Sequence, residues 1–197
     1  MAEEASLQSF HRKLTKIAAQ KGIPIFGGFE VTPRCNLSCK MCYVKFKGAG
    51  NSYAGNQYAE GELTARQWIE LGHAARDAGM LVVFLTGGEP LIRADFKEIY
   101  GAYSRMGFRL NFFTNGTLIN EEFVKWLSQS PPASVDVTLY GASGDTYMRL
   151  CGQRSAYKKV INGIELLLKY NINIRIKTTI VHSNIGDYKK IALCQQR

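Results

Sequence analysis

The chain has 197 residues, 46% apolar and 21% charged, which excludes a disordered protein and allows one domain or at most two small ones. Its longest uninterrupted apolar run, Met80 to Leu85, is six residues, too short to cross a membrane as a helix. Net charge is +9, of which +7 falls in the last 57 residues, where ten Lys/Arg face three Asp/Glu.

A basic end of this kind fits an acidic partner, a phosphorylated ligand or simply a solvated face. The amino terminus is acidic and then mixed, without the basic start and apolar middle of a secretory signal, and so points to a cytoplasmic protein.

In chain order, Glu3 to Gln20 reads as an amphipathic helix with Leu7, Phe10, Leu14 and Ile17 on one face. It occupies a first segment, 1–22, set apart from a core of 23–197. A short strand, Phe26 to Thr32, stops at Pro33, just before Cys35. The long Gly- and Asn-containing stretch Tyr43 to Gly61 reads as a loop of the length that often serves as a lid or binding segment. Thr64 and Gln67 have capping-box spacing ahead of a helix that Gly79 ends.

Strand and helix then alternate. Strands are expected at Leu81 to Thr86, Phe108 to Thr114, Ser134 to Tyr140 and Ile172 to Val181. Helices are expected at Asp95 to Met106, Asn120 to Ser128, Ala156 to Lys169 and from about Asp187, with Gly141 leading into a loop. This period, without two-residue hairpin turns, means parallel β/α units in an α/β fold. Five strands and a last helix that meets the end of the chain suit a partial, open β/α barrel with a sixth strand missing, and a chain truncated at its carboxyl end. The chemistry of such folds sits at the carboxyl ends of the strands.

Cys35, Cys39 and Cys42 form a C-x3-C-x2-C run directly after the first strand. Three thiolates on one tight loop can ligate three irons of a cubane cluster and leave the fourth open to a substrate or cofactor. A structural zinc site would want a second ligand pair, and His73 and His182 are isolated. A thioredoxin-like pair would leave Cys35 unexplained. Five cysteines, an odd number with three clustered, are not a disulfide framework. Cys151, in the loop after the fourth strand, reads as a small packing residue, and Cys194 lies on the last helix.

The three cysteines, with Thr86-Gly87-Gly88-Glu89-Pro90 after the second strand, resemble the radical S-adenosylmethionine (radical SAM) superfamily. The resemblance runs through Thr114-Asn115-Gly116-Thr117-Leu118-Ile119 and Thr138-Leu139-Tyr140-Gly141-Ala142-Ser143, covering about residues 25 to 190. It is nearest to the branch whose members carry a SPASM or twitch domain after the barrel, which includes peptide-modifying maturases.

The resemblance implies a [4Fe-4S] cluster on Cys35, Cys39 and Cys42, with S-adenosylmethionine chelating the open iron. One-electron reduction, by a donor such as flavodoxin or ferredoxin, would yield a 5′-deoxyadenosyl radical that abstracts a hydrogen atom from the substrate. Gly87 and Gly88 would let the backbone approach a ligand, Glu89 would meet the methionine amino group, and Pro90 would fix the turn. Thr138 is expected at a ribose hydroxyl, Met41 near the adenine, Asn115 along the cavity, and Lys177, or less favourably Arg154, at the carboxylate. The expected protein is an oxidoreductase of the maturase type acting on a peptide or protein, with a small molecule possible and nucleic acid disfavoured. The other reading is a non-catalytic iron–sulfur or zinc-binding module whose basic face takes nucleic acid or a protein partner.

Overall fold

The computed structural model describes residues 2–44 and 61–194. Helix α1 (Ala2–Lys21) leads to β1 (Phe26–Glu30) and, beyond the cysteine run, to α2 (Ala65–Asp77) and β2 (Val82–Thr86). Then follow α3 (Phe96–Arg105), β3 (Arg109–Thr114), α4 (Glu121–Leu127), β4 (Ser134–Thr138), α5 (Gly144–Cys151), α6 (Ala156–Lys169), β5 (Ile174–Lys177) and α7 (Tyr188–Cys194). Short 3-10 turns occupy Pro90–Ile92 and Ile185–Asp187.

The five strands form one parallel sheet in sequence order, β1-β2-β3-β4-β5, the arrangement expected of a partial β/α barrel. All five strands fall within the segments expected from sequence. Phe26 to Thr32 shortens to β1, because Thr32 leaves the ladder to bond with the second strand's loop. The capping box at α2 is present in full, the Thr64 side chain accepting from the Gln67 N–H and the Gln67 side chain from the Thr64 N–H.

Register assigns the two faces of the sheet. On one, Phe29 meets the rings of Trp68 and Tyr103, and Phe112 meets those of Phe96, Tyr100 and Phe123, so helices α2, α3 and α4 cover that side. The apolar set Val83, Leu85, Val135 and Val137 is fully buried. Burying side chains of this size at about 1.5–3 kcal/mol each makes this layer the main source of stability. The opposite face carries Glu30, Thr86, Asn111, Phe113, Ser134, Asp136, Thr138, Arg175 and Lys177, matched strand to strand by register. Asp136 is fully buried there and holds Arg175 through two hydrogen bonds of 2.6 and 3.0 Å.

Two expectations are corrected. Gly141 does not open a loop that lasts to α6, because α5 intervenes, capped by Ser143 accepting from the Thr146 N–H and ended by Gly152 at φ +73°. Cys151 is therefore the last residue of a helix, not a loop residue. The helix expected at Glu3 to Gln20 is present as α1; on its apolar face Leu14 is half-buried while Phe10 and Ile17 are exposed, and Ala18 is buried. Most of the stretch from Tyr43 to Gly61 lies outside the described residues, as do the last three of the chain.

Candidate metal and cofactor site

The cysteine run is built into the top of the sheet by continuing the β1–β2 ladder past both strands. The Val31 N–H donates to the Thr86 carbonyl, then Gly88 to Thr32 at 2.7 Å and Glu89 to Arg34 at 2.8 Å. A Cβ on Gly88 would lie 2.3 Å from the Arg34 oxygen, and one on Gly87, at φ +151°, 2.3 Å from the Thr32 oxygen. The close approach expected of these glycines is thus first to the chain's own backbone, which they bring against the residue preceding Cys35.

Glu89 is fully buried. One carboxylate oxygen accepts from the Leu91 N–H at 3.0 Å and the Thr114 hydroxyl at 2.8 Å, the other from the Asn115 N–H at 2.6 Å. Burial pushes its carboxyl up to about 7, against these three hydrogen bonds, which favour the anion. Pro90 opens the 3-10 turn that Glu89 caps.

Asn115 fastens the other flank. Its amide nitrogen donates to Asn36 Oδ1 at 2.8 Å and reaches Cys35 Sγ at 3.7 Å, and its oxygen accepts from Thr117. Asn36 in turn donates to the Thr117 hydroxyl at 2.8 Å. The Leu37 N–H also donates to Cys35 Sγ, at 3.4 Å. Burial pushes the Cys35 thiol up to about 11, so a bound cation is what makes its thiolate favourable.

The middle cysteine rests on α5. Ser38 N–H donates to the Cys151 carbonyl and Lys40 N–H to that of Leu150, so two carbonyls that a helix end leaves open are satisfied by the residues flanking Cys39. A turn closed by Cys42 N–H to the Cys39 carbonyl carries Met41, half-buried against the core. Burial and the neighbouring Cys39 sulfur push the Tyr140 hydroxyl up, and the Cys39 sulfur and burial push the Cys151 thiol up.

Under this loop lies a buried charge network that sequence reading missed. Glu62 accepts from Arg34 at 3.0 and 3.2 Å and from Thr32 at 2.6 Å, and stands 3.5 Å from Arg93, which pairs with Asp95. Two cations and two anions balance, as buried charges must. The Arg-before-Cys and Arg-x-Asp pairings are visible in sequence, but nothing there announces that Glu62 joins them.

Thr138 and Lys177 are register partners at the strand ends, on the same sheet face as Asp136, whose carboxylate lies 4.0 Å from Lys177. Arg154 pairs with Asp145 at the exposed surface. Among the described residues no three His, Cys, Asp or Glu side chains converge as they would on a single ion. Thiolates of a four-iron cube bind separate irons and need no such convergence, and the donor set, three thiols on one clamped loop, suits that group.

A family model described as the radical SAM superfamily matches residues 29–190. The chain belongs to the radical SAM superfamily. Its cofactors are a [4Fe-4S] cluster and S-adenosylmethionine, and the superfamily's members are enzymes. The chain is 31% identical over 172 residues to an AdoMet-dependent heme synthase of Methanosarcina barkeri (strain Fusaro / DSM 804), covering 87% of this chain and 47% of that protein. It is 31% identical over 169 residues to the sporulation killing factor maturation protein SkfB of Bacillus subtilis (strain 168), covering 86% of this chain and 39% of that one. The crystal structure of Streptococcus suis SuiB bound to precursor peptide SuiA shares the fold at TM-score 0.68 and 20% identity, over 98% of this chain and 42% of that one. The maturation protein agrees with the maturase-containing branch that the motifs after the third and fourth strands resemble. The chain spans less than half the length of these curated relatives.

Proposed function

We propose that Cys35, Cys39 and Cys42 hold the four-iron cluster of this chain and that the strand ends beside them bind S-adenosylmethionine. Bound together, the two supply a one-electron route to a 5′-deoxyadenosyl radical that takes a hydrogen atom from the substrate. The protein's own part is placement. Gly87 and Gly88 set the backbone beside the loop, and Glu89, with three protein donors on its carboxylate, keeps acceptor capacity for an ammonium group. Thr138 is assigned to the ribose, Met41 to the adenine side, and Lys177 to the carboxylate, its charge only half answered by Asp136 at 4.0 Å. Asn115 orients Cys35 and Asn36 rather than the cofactor.

One observation carries this reading: the three-cysteine loop is fastened on one side to the Gly-Gly-Glu-Pro turn and on the other to the carboxyl end of α5, at the carboxyl ends of a parallel sheet. The test is anaerobic reconstitution. Wild-type chain should hold four irons and four sulfides and form 5′-deoxyadenosine with reductant and S-adenosylmethionine. Cys39→Ala should do neither. A wild-type chain that assembles the cluster and makes no 5′-deoxyadenosine refutes the assignment.

A peptide or protein is the proposed substrate class, supported by the maturation protein SkfB among the relatives and by SuiB, solved with its precursor peptide. A heme synthase among the relatives keeps small molecules as the competing class. The proposed compartment is the cytoplasm, with a flavodoxin or ferredoxin as electron donor. Among the described residues no helix is long and apolar enough to cross a membrane.

A further inference from the structure

The sheet face opposite helices α2, α3 and α4 carries an ion pair that the proposed cofactor site does not use. Asp136 of β4 is fully buried, and both its oxygens accept from Arg175, its register partner on β5: Oδ1 from Nε at 2.6 Å and Oδ2 from Nη2 at 3.0 Å. The Ser134 hydroxyl stands 3.2 Å from the same Oδ1. The Arg175 side chain is nonetheless 47% exposed, and among the described residues its Nη1 meets no partner. One edge of the guanidinium is fixed and the other is left open.

Two features surround that open edge. Phe113, the register partner of Asp136 on β3, is half-buried with its ring 6.1 Å from that of Phe84 on the same face. The charged side chains of this face, Glu30, Arg109, Asp136, Arg175 and Lys177, sum to +1.

We infer that Arg175 is a specificity-determining residue that takes a carboxylate of the substrate, an acidic side chain of a peptide with apolar neighbours, and that Asp136 positions it. This rests on the peptide reading and on S-adenosylmethionine at the strand ends. A guanidinium held along its Nε edge keeps a parallel pair of N–H groups, on Nη1 and Nη2, for a planar anion with two oxygens. Charge selects a carboxylate. The excess on the face is one unit, and the cofactor does not remove it, since its one carboxylate is outweighed by an ammonium and a sulfonium. A phosphate monoester, with close to two charges, would overshoot. The Phe84–Phe113 pair gives the apolar neighbours of the acid a surface to cover. Position gives the contact its use: Arg175 lies one rung behind Lys177, about 7 Å along β5, so a peptide anchored there runs past the strand ends assigned to the cofactor.

The experiment is a calorimetric titration of the anaerobically reconstituted chain, with S-adenosylmethionine and without reductant. The probes are two pentapeptides with blocked ends, Leu-Gly-Glu-Gly-Leu and Leu-Gly-Gln-Gly-Leu. Iron and sulfide are counted first on every protein, and a wild-type chain that holds no four-iron cluster defeats the ligand assignment, a failure read separately from the titration. Wild type should prefer the Glu peptide about tenfold. Arg175→Gln should cut the preference to within about twofold, and Arg175→Lys, which keeps the charge and loses the fork, to about threefold. Lys125→Gln removes a positive charge from an exposed position of α4, on the other side of the sheet, and should leave the preference as in wild type. Propionate, a carboxylate without the peptide's apolar neighbours, should bind about tenfold more weakly than the Glu peptide. Equal affinity for the two peptides, or no binding of either, overturns the inference, as does a preference that survives in Arg175→Gln or falls equally in Lys125→Gln. Propionate that binds as tightly as the Glu peptide overturns the peptide class. Should Arg175→Gln fail to fold, Arg175→Lys decides alone.

Discussion

The Glu89 carboxylate accepts a 2.6 Å hydrogen bond from the backbone N–H of Asn115, joining the turn after β2 to the turn after β3. Since Glu89 N–H also donates to the Arg34 carbonyl, this one residue links three consecutive strand ends at the mouth of the sheet. The acid expected to meet a ligand is therefore also a structural tie, and both duties need an acceptor at the same place.

The first prediction concerns pH. The Glu89 carboxyl is raised from 4.5 to about 7, with burial as the main cause. A folded state that binds the proton more tightly than the unfolded one gains stability below about pH 4.5 and loses it as pH rises to about 7. The full shift corresponds to about 3 kcal/mol. Glu89→Gln removes this slope and turns an amide N–H₂ toward one of three donors, a conflict of about 1–3 kcal/mol. Urea denaturation of the cluster-free chain at pH 5 and pH 8 should show the variant further below wild type at pH 5. A difference that is the same at both values would show that Glu89 titrates alike in the folded and unfolded chain.

What the sequence made legible follows from how local each signal is. Strand–helix alternation and the Thr64–Gln67 box are local, and the sheet has the strands they imply. The three cysteines and the Gly-Gly-Glu-Pro turn are also local, and they meet at one mouth. Helix α5 was hidden because Gly144 opens it and Gly152 closes it only eight residues later, a span that reads as loop. With it went the position of Cys151, whose nearness to Cys39 is a long-range contact that no spacing encodes. Glu62 was hidden for the same reason: its partners, Thr32, Arg34 and Arg93, are each about 30 residues away.

Gly88→Ala should uncouple the cysteine loop from the second strand. Its new Cβ would stand 2.3 Å from the Arg34 oxygen and 2.7 Å from that of Pro33, contacts with backbone that cannot swing aside. The bonds from Gly88 to Thr32 and from Glu89 to Arg34 would lengthen or break. The expected cost is about 1–3 kcal/mol, with iron loading reduced several-fold after reconstitution. Gly28→Ala is the control, because its Cβ meets nothing within 4 Å. If both variants load iron equally well, the close approach at Gly88 has no part in forming the site.

Glu62→Ala should be among the most destabilising single changes in this region. The side chains of Glu62 and Arg34 are 4% exposed and that of Arg93 is 0%, so removal strands positive charge away from water. Breaking a buried pair from one side costs about 3–5 kcal/mol. Adding Arg34→Met to Glu62→Ala should recover part of that loss, which a double-mutant cycle in urea would read directly. Losses that simply add would mean the two residues do not interact in solution.

Asn115→Asp tests the other flank with almost no change in shape. The wild-type amide donates to Asn36 Oδ1 at 2.8 Å and reaches Cys35 Sγ at 3.7 Å, two donations that a carboxylate cannot make. It would instead set a negative charge against the sulfur that must become a thiolate, and against an amide oxygen. The acceptor half of the residue, which receives the Thr117 N–H and hydroxyl, would remain satisfied, so the turn itself should hold. Repulsion at close range acts on the charged state of Cys35, whose thiol burial already pushes up to about 11. Iron retention under a chelator should therefore weaken by about tenfold or more in Asn115→Asp, while circular dichroism and the urea midpoint of the cluster-free chain stay close to wild type. Retention equal to wild type would mean that Cys35 does not depend on this amide, and that the Leu37 N–H alone orients its sulfur.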